Sequence, residues 1–232
     1  VRARFAALAA VCLAGITSEA GAQIVSPGPP GPYVIDLRGA TSAIPSGEAF
    51  VPPVPSGTRL PTRGAGVEAG AHVYLFRLGP SRVGLGAAVL RVRGGASPQT
   101  ASSASGGSAV SPTPDVDAAL TVLASHVSFN FGTGDGWSYL SAGAGRARVT
   151  AVASPVQGSN GTGSTGAGGG SANSGSLSSA NIGGGARWFL GRHFGISFDV
   201  RMHLIGAGAS DGERPATPRA NVTAATVGIS VR

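Results

Sequence analysis

The sequence predicts an all-β chain, an eight-stranded antiparallel up-and-down transmembrane β-barrel. Three observations lead there. Eight long stretches alternate apolar and polar residues, the connections between them alternate long and short, and aromatic residues collect beside the short connections. The stretch "FGISFDVRMHLIG" (194–206) sets the pattern. Phe194, Ile196, Phe198, Val200, Met202 and Leu204 are apolar, with Gly195, Ser197, Asp199, Arg201 and His203 between them. Successive side chains of a strand point to opposite faces, so this strand has one oily and one polar face. A membrane barrel turns the first to lipid and the second to its interior.

The elements follow in chain order. Residues 1–22 read as a signal peptide: Arg2 and Arg4 give a basic start, an apolar run follows, and Ala20-Gly21-Ala22 is a small-residue cleavage site. Residues 23–32 are expected as a short periplasmic lead. Cys12 lies inside the signal, so the exported chain has no cysteine, which suits a Gram-negative envelope protein without disulfides. Residues 33–232 form the barrel, with strands expected at 33–41, 66–78, 83–93, 118–131, 137–151, 177–190, 194–206 and 221–232. A tilted membrane strand takes about 9–11 residues, and these stretches supply that length. Long connections at about 42–62, 94–117, 152–176 and 207–220 alternate with short turns at 79–81, 132–136 and 191–193. A barrel with both ends in the periplasm produces this order, with short periplasmic turns and long, flexible external loops. No later apolar run is long enough for a membrane helix. Gly and β-branched residues interrupt every helical period.

Composition narrows the function classes. The net charge of +7, carried by Arg without any Lys, suits an anionic partner such as a lipid headgroup surface. The charge lacks the interleaved aromatics of a nucleic-acid surface, so no nucleic acid is expected. "GTGSTG" at 161–166 matches a dinucleotide-binding pattern, but no strand–helix–strand unit surrounds it. His72, His126, His193 and His203 have no metal-ligand spacing, so neither metal nor cofactor is expected.

Residue placement adds two belts. Phe76, Phe129, Phe131, Trp137, Tyr139, Trp188 and Phe194 flank the short turns and are expected to form a periplasmic aromatic girdle. Arg63, Arg91, Arg93, Arg146, Arg148 and Arg219 lie near the long connections. There a guanidinium would sit level with outer-leaflet phosphates and bind them through paired hydrogen bonds.

The signal peptide, the alternating strands, "YLSAGAGRARV", "NIGGGARWFLGRHFGISFDVRMHL" and "TVGISVR" resemble the outer-membrane β-barrel domain family, the small OmpA-like barrels, over about residues 33–232. Such barrels usually end on an aromatic residue, whereas Val231-Arg232 stands here. The resemblance implies a monomer in the bacterial outer membrane. Its partners would be the insertion machinery, outer-membrane lipids and lipopolysaccharide.

An eight-stranded barrel fills its interior with side chains. The phase of the seventh strand puts Asp199, Arg201 and His203 inside, and comparable phases put Asp36, Arg38, Glu68, His72, His126 and Arg187 there. The Gly and Ala residues of the fifth strand leave its phase open. Buried opposite charges must pair, so an Arg–carboxylate network closing the lumen is expected. His126 and Ser128 have the His-x-Ser spacing of lipid A deacylase barrels, in which His activates Ser. Those enzymes carry the pair on the lipid side. Here Leu123, Val127 and Phe129 take that side, so no catalytic residues are expected. The reading is a structural or surface-interaction barrel. A small-solute or ion channel is the alternative, and a lipid A-modifying hydrolase a remote one. A soluble sandwich would need polar outward faces, which 194–206 lacks.

Overall fold

The computed structural model describes residues 32–79, 81–97, 113–132, 135–155, 169–211 and 214–232. The signal peptide, nearly all of the periplasmic lead, the "GTGSTG" stretch and the middles of the second and third long connections lie outside the described residues.

The alternating stretches form strands because each buries one face and presents the other. They are β1 (Tyr33–Ala43), β2 (Arg63–Leu78), β3 (Ser81–Ala96), β4 (Val116–Phe131), β5 (Gly136–Ala153), β6 (Gly170–Asn173), β7 (Leu177–Phe189), β8 (Phe194–Ile205) and β9 (Ala220–Val231). They make one antiparallel sheet in the order β4-β3-β2-β1-β9-β8-β7-β5-β6, and an additional β4–β5 pairing closes it. The closed barrel therefore has eight staves, and β6 stands outside the ring. No helix of the described residues is long and apolar enough to cross a membrane.

The short β6 is a departure from the eight expected strands. "GSAN" carries no apolar alternation, and it becomes a strand only by pairing with Thr150–Ala153 at the far end of β5. That end is free because β7 stops earlier, its Leu177 pairing with Ala147. A second departure is the irregularity between Tyr74 and Phe76, which leaves Leu75 without a partner. Tyr74 then points inward, while Leu75 and Phe76 both face out.

The two faces differ as alternation dictates. Leu37, Val67, Leu85, Leu123, Leu140, Ile182, Val200 and Ile229 are large, apolar and about half exposed on the outer wall. A soluble monomer rarely shows so continuous an apolar skin. In a bilayer that skin faces a matching solvent, and closure gives each of the eight staves a paired neighbour on both sides.

The interior is filled in three storeys. At the turn end Val34, Tyr74, Trp137 and Phe189 form a buried cluster. At the loop end Leu90, Val92, Leu120, Val122, Val149 and Val222 form a larger apolar core. Charged and polar residues lie between the two. The connection from β1 to β2 completes the upper storey. Its Ile44, Phe50 and Val51, around a short 3-10 turn at Glu48–Phe50, are buried in the same core. This stretch was expected as a flexible outer loop. Its apolar residues instead draw it back over the barrel mouth.

Val200 sits mid-strand on the outer face. Val200→Arg is expected to cost about 2–4 kcal/mol, the range for a charge at the bilayer midplane. Urea unfolding in lipid vesicles checks this; unchanged stability would put that face in water.

Candidate functional site

The site is the polar middle storey. Three carboxylates and three guanidiniums meet there, on β1, β2, β7 and β8. Asp36 is the hub. Its carboxylate accepts from Arg187 Nε at 3.0 Å and from Ser230 Oγ, and Arg38 Nη2 lies 2.9 Å away. Arg187 Nη2 also reaches Asp36, at 2.5 Å. Arg38 in turn donates to Glu68 at 2.8 Å and to Ser197 Oγ at 3.0 Å. Both Asp36 and Arg187 are at most 1% exposed. Charges so placed need near-complete pairing to offset their desolvation.

A second group centres on Arg201. It donates to Asp199 at 3.0 Å, to Asn181 Oδ1 at 2.7 Å and to Ser141 Oγ at 2.8 Å. Tyr139 joins the two groups. Its hydroxyl donates to Asp199 at 2.8 Å, and the Arg187 guanidinium lies 4.3 Å from its ring centroid.

His72 and His126 extend the network toward β4. Arg187 Nη2 lies 3.0 Å from His72 Nδ1, and His72 Nε2 lies 2.7 Å from His126 Nε2. His72 Nδ1 also lies 3.4 Å from Asp36 Oδ2, so the ring stands between the hub carboxylate and His126. Gly86 makes room for this pair: a Cβ there would come within 2.5 Å of His126 Nε2 and 2.6 Å of His72 Cδ2.

All nine residues expected in the lumen are buried. Eight of them join these contacts. His203 does not: it is buried, and neither ring nitrogen has a hydrogen-bond partner among the described residues. The sequence puts Ser197 on the polar face of its strand but does not single out Tyr139, Ser141, Asn181 or Ser230 as lumen residues. Each shares the inward parity of a charged residue on the same or a neighbouring strand.

The girdle requires correction. Phe76, Phe129, Phe131, Trp188 and Phe194 are exposed on the outer wall, but Trp137 and Tyr139 are 3% and 2% exposed and point inward. Arg146 and Arg148 face outward on the same strand. β5 runs without a register shift against β4, so odd and even positions cannot share a face. Trp137 instead stacks on Phe189, ring centroids 4.9 Å apart, and meets Tyr74 edge-on at 6.0 Å. The Arg232 guanidinium lies 4.2 Å from the Phe189 ring centroid.

The six arginines near the long connections are all exposed. Arg91 and Arg148 flank Thr121 on either side, and Arg93 pairs with Ala65 and Ala119. None of the six makes an ion pair among the described residues.

The hydrolase alternative needs Ser128 to meet His126. Ser128 Oγ instead accepts from Asn130 Nδ2 at 3.0 Å and lies 3.5 Å from the Gly84 carbonyl, while His126 meets His72. Both residues are buried under 5% exposure, away from any lipid substrate on the outer wall. No cluster of three or more His, Cys, Asp or Glu suited to a metal occurs among the described residues.

No family model matches the chain, and no curated protein sequence matches it. Among solved structures, the chain is similar to Ail, the attachment invasion locus protein of Yersinia pestis, at 14% identity, covering 88% of this chain and 98% of that one with a TM-score of 0.47. Neisserial surface protein A is similar at 13% identity, 87% and 97% coverage and a TM-score of 0.48. The outer membrane protein OprG from Pseudomonas aeruginosa is similar at 11% identity, 89% and 96% coverage and a TM-score of 0.41.

Asp36→Ala leaves two buried guanidiniums short of their shared counter-charge. The expected loss is about 3–5 kcal/mol, typical of breaking a buried ion pair. Asp36→Ala/Arg187→Leu should recover part of it, because one unpaired charge is removed as well. Denaturant titration of the three proteins checks both; equal stability of wild type and Asp36→Ala would contradict the hub role.

Proposed function

We propose that this chain is a closed-lumen barrel of the bacterial outer membrane with a structural or surface-interaction role. The observation that carries the reading is the stacking of the three interior storeys. A solute channel requires a continuous polar path. Here the polar storey lies between the Tyr74–Trp137–Phe189 cluster and the core of Leu90, Leu120, Val122 and Val149. Phe50 and Val51 cover the upper side. Fixed ion pairs such as Arg187–Asp36 occupy the middle, where mobile ions or water would have to pass.

What is left to interact is the surface. The long connections gather at one end of the barrel, where loops are free to vary and bind. The exposed arginines circle the wall just below them. We take that end to face outward, which brings the arginines level with outer-leaflet phosphates. Bidentate guanidinium–phosphate bonds would then tie the barrel to lipopolysaccharide and other anionic lipids.

Planar-bilayer recording of the purified mature chain tests the closed lumen. No steady conductance is expected. Reproducible single-channel steps that scale with salt concentration would overturn the reading in favour of the channel alternative.

A further inference from the structure

Between β7, β8 and the start of β9, at the loop end of the outer wall, lies an open groove of about 510 Å³. Ser178, Ala180, Leu204, Gly206, Arg219 and Asn221 line it. We propose that this groove seats the phosphorylated headgroup of a single membrane lipid. The proposal rests on the reading that this end lies at the outer leaflet.

The wall is graded. Ser178, Gly206 and Arg219 come first at the loop end. The next row down is Ala180, Leu204 and Asn221, held in register across the three strands. Below it come Ile182, Met202 and Thr223, then Gly184, Val200 and Ala225. Polarity thus falls along the membrane normal within one narrow track, which matches a molecule with an anionic head and an alkyl tail. A water-soluble phosphate would have no use for the apolar lower half.

The floor is cut by small residues. A Cβ on Gly206 would meet Ser178 Oγ, so glycine leaves that hydroxyl room beside the groove. Arg219 forms one edge. Arg146, outside the lining, lies on the neighbouring strand β5, paired in register with Ser178 and exposed on the same face. No acidic residue lines the groove among the described residues. Neither Arg146 nor Arg219 has a carboxylate partner among the described residues. The Arg219 guanidinium, a hydroxyl and an amide line one space, with the Arg146 guanidinium on the neighbouring strand; this is the donor set of a phosphate seat.

The test is native mass spectrometry of the mature barrel in zwitterionic detergent, titrated with lipid A. Wild type is expected to retain one lipid A. Arg219→Gln, which removes a charge-assisted bond, and Ala180→Trp, which fills the groove from the lipid face, should each weaken that first binding about tenfold. Arg91→Gln/Arg93→Gln, on β3 and separated from the groove by two strands on either side, should change it by less than about threefold. Lipid A stripped of its phosphates should bind like the Arg219→Gln complex, and free inorganic phosphate should not displace the lipid. Heat-shifted gel mobility verifies that each variant is folded; Arg219 is exposed on the surface, so its variant reports even if Ala180→Trp fails that check. Unchanged binding by both Arg219→Gln and Ala180→Trp overturns the groove. If Arg91→Gln/Arg93→Gln then lowers retention, the outer-leaflet reading stands without it. If substitution of all six arginines also leaves retention unchanged, both fall.

Discussion

A peptide group in hydrocarbon has no water to bond, and each one left unpaired costs several kcal/mol. That constraint forces the sheet to close, and closure fixes the rest. Once β4 pairs with β5, every stave has two neighbours and every residue has an assigned side. A shift of one residue would turn a whole strand inside out. Parity around the ring therefore decides which groups meet lipid and which meet one another. The irregularity at Leu75 is where a strand changes parity, and it returns Phe76 to the outer wall.

The inside of so narrow a ring has to be packed, and it is packed by height. The charges sit at mid-depth because Asp36, Arg38, Glu68, Asp199 and Arg201 lie in the middle of their strands. They are balanced three against three and tied by Ser, Asn and Tyr side chains that bind the remaining donors and acceptors. Apolar clusters pack above and below them. In such surroundings an ion pair holds its geometry more than it adds net stability. The network is better viewed as a device that fixes the mutual positions of β1, β2, β7 and β8.

Much of this was legible because the side-chain period of a strand is two and eight stretches keep it for a bilayer's width. In β8 the alternation is unbroken, and Asp199, Arg201 and His203 are buried on its inner face. In β5 the run from Ala142 to Gly145 is small and apolar on both faces, so the sequence carries no phase signal there. Trp137 and Tyr139 were assigned by distance from a turn, Arg146 and Arg148 by distance from a loop, and the two assignments put residues of opposite parity on one face of an uninterrupted strand. Parity alone would have exposed the conflict. The fold of the β1–β2 connection and the strand β6 are another matter. Phe50 is buried by tertiary packing, and "GSAN" is a strand by virtue of its partner. Neither has a local pattern to read. The groove likewise needs three strands aligned before Gly206, Ser178 and Arg219 become neighbours.

The chain has two tryptophans on opposite sides of the wall, Trp137 inside and Trp188 outside. Fluorescence quenching by lipids brominated along their acyl chains therefore tests the sidedness most directly, using Trp137→Phe and Trp188→Phe as single-tryptophan proteins. The bromolipid should strongly quench Trp188 and leave Trp137 almost unaffected, and aqueous acrylamide should reach Trp137 poorly. Equal quenching of both by the bromolipid, or free access of acrylamide to both, would mean that hydrocarbon does not bathe one side of a closed and filled barrel.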